Sequence, residues 1–446
     1  MTFYNIMAMK DKIFSKLISK EDMKSEVLNY IRNIVSYLPV IGLVCLSSSI
    51  LFTYGPYQRI SLFIFAFAYP LDYICNLRWK QWQWDRNKIV YVLFIAFFLL
   101  IPIWHLFDAQ YTPILQDTIE KYIPFLFIGI CGIMGMTDKF KMEYIVYAML
   151  LTSVGVIVFI LTLVGMPNPD SLNHWVDAFN IKSHEYINTH MVLNLYWNLS
   201  IILGLYFLWH SRSRKLWKVL VFICMVPICI CLCMTDGRTG TLTFIGTIFF
   251  VMLYCISVYR KWWMMGILFG FIIGSCTFLM QRHRFVAATH EKDTRVYIWD
   301  VSIDMIKEKP LLGYGVCSAR SEFVERGMSD DDFYNRYANP LVSYLKSSNL
   351  KVDLSIMHPH NAFLETWAQF GIIGLVLLIG CLISPFAMRL KKNQLFLNLC
   401  IYVFLMQSFF ESMGSNLQPM YLCLMVLLWN SHQINASRKN TQIQLA

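Results

Sequence analysis

Apolar runs of about 20 residues recur from one end of the chain to the other, separated by short polar connections. An α-helix needs about 20 apolar residues to cross the hydrocarbon core of a bilayer, because it rises only about 1.5 Å per residue. The pattern therefore predicts an all-α integral membrane protein with about twelve transmembrane helices. The predicted spans are 34–54, 60–76, 89–107, 119–136, 143–166, 190–210, 216–234, 239–258, 262–280, 362–388, 394–411 and 417–433.

Basic residues alternate between the two sides of these spans. Every second connection is rich in Lys and Arg, beginning with "NLRWKQWQWDRNK" after the second span. These connections hold fifteen Lys and Arg residues in total, whereas the other short connections hold four. Basic connections stay in the cytoplasm, so both termini are expected there. The predicted order is a cytoplasmic tail, nine spans, a long outer loop, three spans and a second cytoplasmic tail, at residues 1–33, 34–280, 281–361, 362–433 and 434–446.

The composition agrees with a membrane protein and removes other classes. Of the 446 residues, 57% are hydrophobic and 15% charged, and the mean hydropathy is +0.49, which is unusual for a soluble chain. The net charge of +10 is explained by basic connections facing the anionic inner leaflet, so no nucleic-acid partner is expected. The 13 cysteines lie mostly in apolar runs, as small hydrophobic residues do, and predict neither a disulfide framework nor a metal site.

The outer loop 281–361 is expected to contain amphipathic helices. In "TRVYIWDVSIDMIKEKP", one helical face is predicted to carry Val296, Trp299, Ile303 and Ile306. A second helix is expected in "SDDDFYNRYANPLVSYLKSS", begun by a Ser–Asp cap. The three aspartates of this sequence are interpreted as the first turn of that helix, in preference to a metal site.

Three polar residues that are far apart in sequence are expected at the outer ends of spans. Arg238 in "TDGRTG" precedes span eight, Arg295 in "DTRVYIW" follows span nine, and His360 in "HPHN" precedes span ten. The planar fork of an arginine can donate two parallel hydrogen bonds to a phosphate, and two arginines can neutralise a diphosphate without a metal. The structural alternatives are that Arg238 extends to lipid head groups and that Arg295 pairs with Asp293.

His360 stands at the predicted N-terminus of span ten. The positive end of the helix dipole and the nearby arginines are expected to keep its imidazole neutral, so that it can accept a proton as a general base must. The alternative is a histidine that only caps the helix, a role that Asn361 can also fill. Glu365, in the first turns, can orient a base or bind a sugar hydroxyl, and His358 is interpreted as an exposed neighbour.

These motifs resemble those of the O-antigen ligases of Gram-negative bacteria, in the group that includes O-antigen polymerases and protein O-oligosaccharyltransferases. The resemblance rests on "TDGRTG", on "TRVYIW" with "KEKPLLGYG", and on "HPHNAFLETWAQFGIIG", within about residues 190–390. It implies a fold similar to the membrane-embedded glycosyltransferases of the GT-C class. It also implies transfer of a glycan from undecaprenyl diphosphate to a sugar hydroxyl of lipid A–core. The reaction would invert the anomeric carbon, without metal or cofactor, on the periplasmic face of the inner membrane.

By motif match, the resemblance assigns the diphosphate to Arg238 and Arg295 and the activation of the acceptor hydroxyl to His360, with support from Asn361 and Glu365. The "HPH" sequence departs from the family pattern, because it offers two candidate bases. The second histidine is preferred because the asparagine follows it.

Two other functions stay open. An O-antigen polymerase would use a second lipid-linked repeat as its acceptor; the motif around "HPHN" and the long loop between spans nine and ten favour the ligase. A transporter or flippase would require ionisable residues in the middle of spans. Asp72 is a candidate, but the other polar residues gather at one face and no internal repeat supports a transporter.

Overall fold

The computed structural model describes residues 20–52, 55–106, 113–165, 172–234, 237–281, 294–339, 343, 358–388, 394–411 and 421–428. Within these ranges all regular secondary structure is helical. The helices are α1 (Lys20–Ser49), α2 (Gly55–Cys75), α3 (Ile89–His105), α4 (Pro113–Met134), α5 (Met142–Val164), α6 (Leu172–Tyr186), α7 (His190–His210), α8 (Lys215–Met234), α9 (Arg238–Tyr259), α10 (Met264–Gln281), α11 (Thr294–Glu308), α12 (Val316–Ser329), α13 (Ala362–Ile383) and α14 (Gln394–Phe410). Shorter helical pieces are Arg78–Gln81, Arg86–Lys88, Asp331–Phe333, Tyr334–Ala338, Ser384–Ala387 and 421–428.

Seven helices of the described ranges are long and apolar enough to cross a membrane: α1, α3, α5, α7, α8, α9 and α13, while α10 and α14 are shorter apolar helices. Each predicted span overlaps a helix, and α1 includes residues from Lys20 onward that lie inside the predicted tail. The chain is therefore a multi-pass integral membrane protein. The count of twelve spans stays a prediction.

The core is organised around α7, whose span has 78% of its residues buried. It packs against α5, α8, α9 and α14. From α7, Tyr196 Oη donates to the carbonyl of Ser47 in α1 at 2.7 Å, and Asn198 Nδ2 donates to the carbonyl of Gly240 in α9 at 3.1 Å. A buried donor needs a partner, so these bonds fix where α1 and α9 lie against α7.

A second, smaller core joins α11, α12, residues 331–338 and the first half of α13, which we call the loop unit. The buried residues of its core are Ile298, Val301, Met305, Ile306, Ala319, Phe323, Phe333, Ala338 and Ala368, with Trp299 packed against them. Helices α11 and α12 bury apolar residues against one another and against the start of α13. The second helix expected in the loop, within 329–348, lies partly outside the described residues.

The face of α11 that is buried differs from the apolar face that the sequence pattern predicted. Val296 and Ile303 are 38% and 39% exposed, whereas Ile298 and Met305 are each 1% exposed. Ser302 lies between these two on the buried face, where its hydroxyl donates to the carbonyl of Ile298 at 2.9 Å. Since that polar residue interrupts the apolar stripe, a count of hydrophobic positions selected a neighbouring face instead.

Two helices were not predicted, α6 and α12. α12 follows Gly315 directly, and Arg326 in its last turn ties it to α11. The Arg326 guanidinium donates to both oxygens of Glu308 at 2.6 and 2.5 Å, and this pairing lowers the pKa of Glu308 to about 2. The helix was missed because its polar residues outnumber its apolar ones, so that its overall hydrophobicity is low.

The interpretation of the aspartates after α12 is confirmed. Asp330 Oδ1 accepts from the amide of Phe333 at 2.7 Å, and Asp331 and Asp332 occupy the first turn that it caps. Ser329 is not part of this cap, because it ends α12 and its hydroxyl donates to the carbonyl of Arg326 at 2.9 Å.

α13 is broken at Gly371, whose φ of 64° and ψ of −162° are not helical. The loop after α11 fills the break. The amides of Tyr314 and Gly315 donate to the carbonyls of Ala368 and Gln369 at 2.8 and 2.9 Å. The amide of Ile372 donates to the carbonyl of Pro310 at 3.0 Å. The backbone groups that the break releases are thus satisfied by "PLLGYG", and the loop unit is joined to the helical bundle at this point.

Candidate functional site

The position of Arg238 is set by two glycines that let the start of α9 approach α7. A Cβ added at Gly237 or at Gly240 would overlap the buried side chain of Asn194. Asn198, one turn further along α7, holds the carbonyl of Gly240. The glycines of "TDGRTG" are therefore explained by close packing of the helices, and this packing presents Arg238 at the first position of α9.

Gly240→Ala is expected to lower the thermal stability of the protein. The added methyl overlaps the base of the Asn194 side chain, which cannot swing away, so the start of α9 must shift at a cost of about 1–3 kcal/mol. Thermal unfolding of the purified protein measures the loss. Gly155→Ala, in the interior of α5 where nothing lies within 4 Å of the added Cβ, is the matched control. Equal unfolding temperatures for the two variants would contradict this account of Arg238.

Both predicted arginines line a single cavity, although they are 57 residues apart in sequence. This arginine cavity encloses about 480 Å³ of empty space, and its walls come from α7, α9, α11 and the end of α14. It is lined by His190, Met191, Asn194, Gly237, Arg238, Thr239, Gly240, Arg295, Gln407 and Glu411. Arg238 and Arg295 therefore lie close together, as the predicted topology requires. The cavity also contains a carboxylate that was not predicted, that of Glu411.

Glu411 connects the arginine cavity to the histidine. Its Oε1 accepts from Arg295 Nη2 at 3.0 Å, and its Oε2 lies 3.1 Å from His360 Nδ1. The Glu411 side chain is only 10% exposed, against 24% for Arg295 and 29% for His360. A carboxylate accepts hydrogen bonds, so this contact places the ring proton on Nδ1 and leaves the lone pair on Nε2.

His360 is held by the backbone on both sides. Its φ of 50° lies in the left-handed region, and Asn361 after it is the N-cap of α13, accepting from the amides of Phe363 and Leu364 at 2.9 and 3.0 Å. Asn361 Nδ2 also donates to the carbonyl of Phe409 in α14 at 3.0 Å. Asn361 therefore caps the helix and fastens the histidine segment to the end of α14, where Glu411 begins the next segment.

His358 is not the exposed neighbour that the sequence suggested. It is partly buried, and its ring centroid lies 4.0 Å from that of His360. Burial holds the pKa of His358 well below its ordinary value of 6.5, and the adjacent imidazole of His360 and the cationic side chains of Arg320 and Lys121 act in the same direction. Since its protonated form is disfavoured, His358 is a neutral imidazole near pH 7.

Glu365, by contrast, is not among the residues that line the arginine cavity. It lines a second cavity beside His358, between α4, α12 and α13, which we call the α12 cavity. The carboxylate that contacts His360 is Glu411 and not Glu365. The proposed pairing of Arg295 with Asp293 concerns a residue outside the described ranges.

Sequence analysis found the two arginines, the two histidines and the capping asparagine, but it missed Glu411. One signal was present: Glu411 in "QSFFESM" is an acidic residue at the end of an otherwise apolar span. Ionisable residues at such places are expensive to bury and tend to be functional or paired. Its partners could not be inferred, because nothing in the sequence shows which loop lies against the end of α14.

Part of the chain is similar to known polysaccharide ligases. A family model described as "O-Antigen ligase" matches residues 220–379, a range that contains both arginines and both histidines. A segment of 112 residues is 31% identical to a Rickettsia conorii protein named "Putative polysaccharide ligase". That segment covers 25% of this chain and 23% of the relative, so the chain matches about a quarter of the relative's length. Arg238, Arg295 and His360, which the structure gathers at one site, all lie within the range that is similar to the O-antigen ligase family model.

Proposed function

We propose that the chain transfers a glycan from undecaprenyl diphosphate to a sugar hydroxyl of lipid A–core, at the periplasmic face of the inner membrane of a Gram-negative bacterium. The observation that carries this proposal is the Glu411 bridge, which joins Arg295 to His360 beside a cavity that Arg238 also lines. An anion-binding pair and a base are the two groups that glycosyl transfer from a diphosphate requires.

The arginine cavity is the proposed site of the diphosphate. A guanidinium presents five N–H donors, so Arg295 can hold Glu411 on one edge and a phosphate on another. Arg238, at the first position of α9, adds the positive end of that helix. As the bond to the sugar breaks, negative charge grows on the bridging oxygen, and both cations stabilise it without a metal or a cofactor.

His360 is the proposed general base. Its Nε2 takes the proton of the acceptor hydroxyl while the hydroxyl oxygen forms a bond to the anomeric carbon. The bond from that carbon to the phosphate oxygen breaks, and undecaprenyl diphosphate leaves with the electron pair. A single displacement of this kind inverts the anomeric centre. Glu411 stabilises the imidazolium that forms, since its carboxylate lies 3.1 Å from Nδ1.

The test is product analysis with the full chain in liposomes that contain an undecaprenyl-diphosphate-linked glycan and lipid A–core. We expect a product in which the glycan is joined to the core sugar. Arg238→Gln should lower the donor kcat/KM by about 10- to 100-fold, because it loses charge-assisted hydrogen bonds. Arg59→Gln, which removes an exposed arginine paired with Glu120, is the matched control. Transport of the lipid-linked glycan with no new glycosidic bond would refute the proposal.

The same assay separates the polymerase from the ligase, because a polymerase lengthens the lipid-linked glycan and leaves lipid A–core unchanged.

Asp72, the ionisable residue that suggested a transporter, has a structural explanation. Asp72 lies at the last turn of α2, where its carboxylate accepts from Arg78 Nη1 and Asn76 Nδ2, each at 2.9 Å. A carboxylate satisfied in this way holds the helix end in place and requires no transported ion.

A further inference from the structure

Gln407 is a buried residue of the arginine cavity that has no role in the mechanism described above. It lies on α14 one turn before Glu411, whose amide donates to the carbonyl of Gln407 at 2.9 Å. Both residues line the cavity. Residues four apart on an α-helix share one face, so Gln407 lies on the wall that also carries the bridging carboxylate, about 6 Å further along the helix.

The amide of Gln407 carries a hydrogen-bond donor that the fold does not use. The residue is only 5% exposed, and its Nε2 is buried without a hydrogen-bond partner among the residues that the structure describes. Native proteins rarely leave a buried donor in this state, because its removal from water costs free energy that only a hydrogen bond returns. At the wall of a cavity, such a donor indicates an acceptor that arrives with the ligand.

A second glutamine, Gln58, shows the contrasting case of an amide that the fold does use. Gln58 is 1% exposed, and its Nε2 donates to the carbonyls of Ile50 and Phe52 at 3.2 and 2.8 Å, just after the end of α1. The two glutamines are thus buried to a similar extent. Contacts within the chain explain the amide of Gln58 but not that of Gln407.

Phosphate oxygens are the acceptors that the Gln407 donor suits. The terminal torsion of a glutamine has two broad wells, so a half-turn exchanges Nε2 with Oε1 and either atom can face the cavity. Arg238 and Arg295 line the same cavity, and the proposed function assigns them to the diphosphate. Ionised phosphate oxygens are strong acceptors, so they select Nε2. About 110 Å³ of the cavity can hold the centres of ligand atoms, several times the space of about 10–15 Å³ that one water needs.

We propose that Gln407 is a third diphosphate-binding residue, whose Nε2 donates to a phosphate oxygen of the lipid-linked donor beside Arg238 and Arg295. A neutral amide adds a directed hydrogen bond without adding charge, so it orients the phosphate that the guanidinium groups attract. This inference rests on the proposed function, because it takes the arginine cavity as the site of the diphosphate. It makes recognition of the donor depend on α14 as well as on α9 and α11.

The experiment measures binding of undecaprenyl diphosphate, without a glycan, to the purified full chain in detergent. Gln407→Met keeps the length of the side chain and removes the amide. We expect it to weaken this binding by about 10-fold, as loss of a hydrogen bond to a charged group does. The unfolding midpoint without ligand should be unchanged or higher, because an unused buried donor has been removed. In the transfer assay the donor KM should rise, while kcat and the acceptor KM change little.

Gln58→Met is the matched control, because it makes the same substitution at a buried glutamine whose amide is hydrogen-bonded and which does not line the cavity. It should lower the unfolding midpoint and leave binding of undecaprenyl diphosphate unchanged. Gln407→Glu, which offers an acceptor in place of the donor, should weaken that binding at least as much as Gln407→Met. Undecaprenol, which has no phosphate, should bind wild type and Gln407→Met equally.

The inference is overturned if Gln407→Met or Gln407→Glu binds undecaprenyl diphosphate as tightly as wild type, or if undecaprenol is weakened as much as the diphosphate. These results are separate from those that bear on the proposed function. A protein that binds undecaprenyl diphosphate through Gln407 and forms no glycosidic bond would refute the proposed function and leave the binding role in place. Glycan transfer by Gln407→Met with an unchanged donor KM would refute the binding role alone.

Discussion

His360→Ala is expected to lower the rate of glycan transfer by about 10²–10⁴-fold, with little change in the amount of folded protein. The substitution removes the only group in the proposed mechanism that can take the acceptor proton, and a positioned general base contributes about that factor. Because the side chain is 29% exposed, its loss leaves no large buried void. The initial rate in the liposome assay, at saturating donor and acceptor, measures the effect.

The matched variant is His358→Ala, which removes the neighbouring imidazole and leaves the Glu411 bridge intact. It should lower kcat less than His360→Ala does, because the carboxylate of Glu411 contacts His360. If His358→Ala instead abolished transfer and His360→Ala did not, the first histidine of "HPH" would be the base. That outcome would reverse the assignment made here.

Glu411→Gln tests how the base is positioned. An amide can present its NH₂ to Nδ1 and so favour the wrong tautomer, with the proton on Nε2. We expect kcat to fall by about 10²-fold or more, while the acceptor KM changes little. Glu411→Asp keeps the charge and should recover part of the rate. A Glu411→Gln protein with an unchanged kcat would show that this carboxylate serves only to hold Arg295.

Gly371→Ala is expected to destabilise the protein by about 3 kcal/mol or more. Its φ of 64° is a region that L-residues rarely adopt, and the strain there is about 1–3 kcal/mol. The added Cβ would also overlap the backbone of Leu311, which cannot rotate away. The loop Pro310–Gly315 would have to leave the break in α13, and its hydrogen bonds with Ala368 and Gln369 would be lost.

Gly380→Ala, further along the same helix, is the control for this prediction. A Cβ at Gly380 meets Leu93 Cδ1 at 3.5 Å, an ordinary contact, and alanine favours a helix by about 1 kcal/mol over glycine. Thermal unfolding in detergent should therefore show a lower midpoint for Gly371→Ala and an unchanged or higher one for Gly380→Ala. A midpoint of Gly371→Ala equal to that of wild type would show that the break carries no constraint.

Much of the fold could be predicted because the bilayer imposes a simple rule on the sequence. An apolar run of sufficient length forms a helix, since the backbone has no other way to satisfy its hydrogen bonds in lipid. The hydrophobic pattern was less informative where contacts with other helices determine which face of a helix is buried. The buried Ser302 concealed the inner face of α11, and α12 was missed because its polar residues outnumber its apolar ones.

By itself the sequence determined the class of the protein and the helices near the predicted spans. It also narrowed the cap of α13 to Asn361 or His360 and selected Arg238, Arg295 and His360 as candidate site residues. Each of these depends on local pattern or on topology. The tertiary structure alone decided that Glu411 joins arginine to histidine, that Glu365 and His358 face a separate cavity, and that Gly371 breaks α13 to receive a loop. The reason is that these contacts link segments far apart along the chain, and a hydrogen bond across 51 or 116 residues leaves no periodic trace in the sequence.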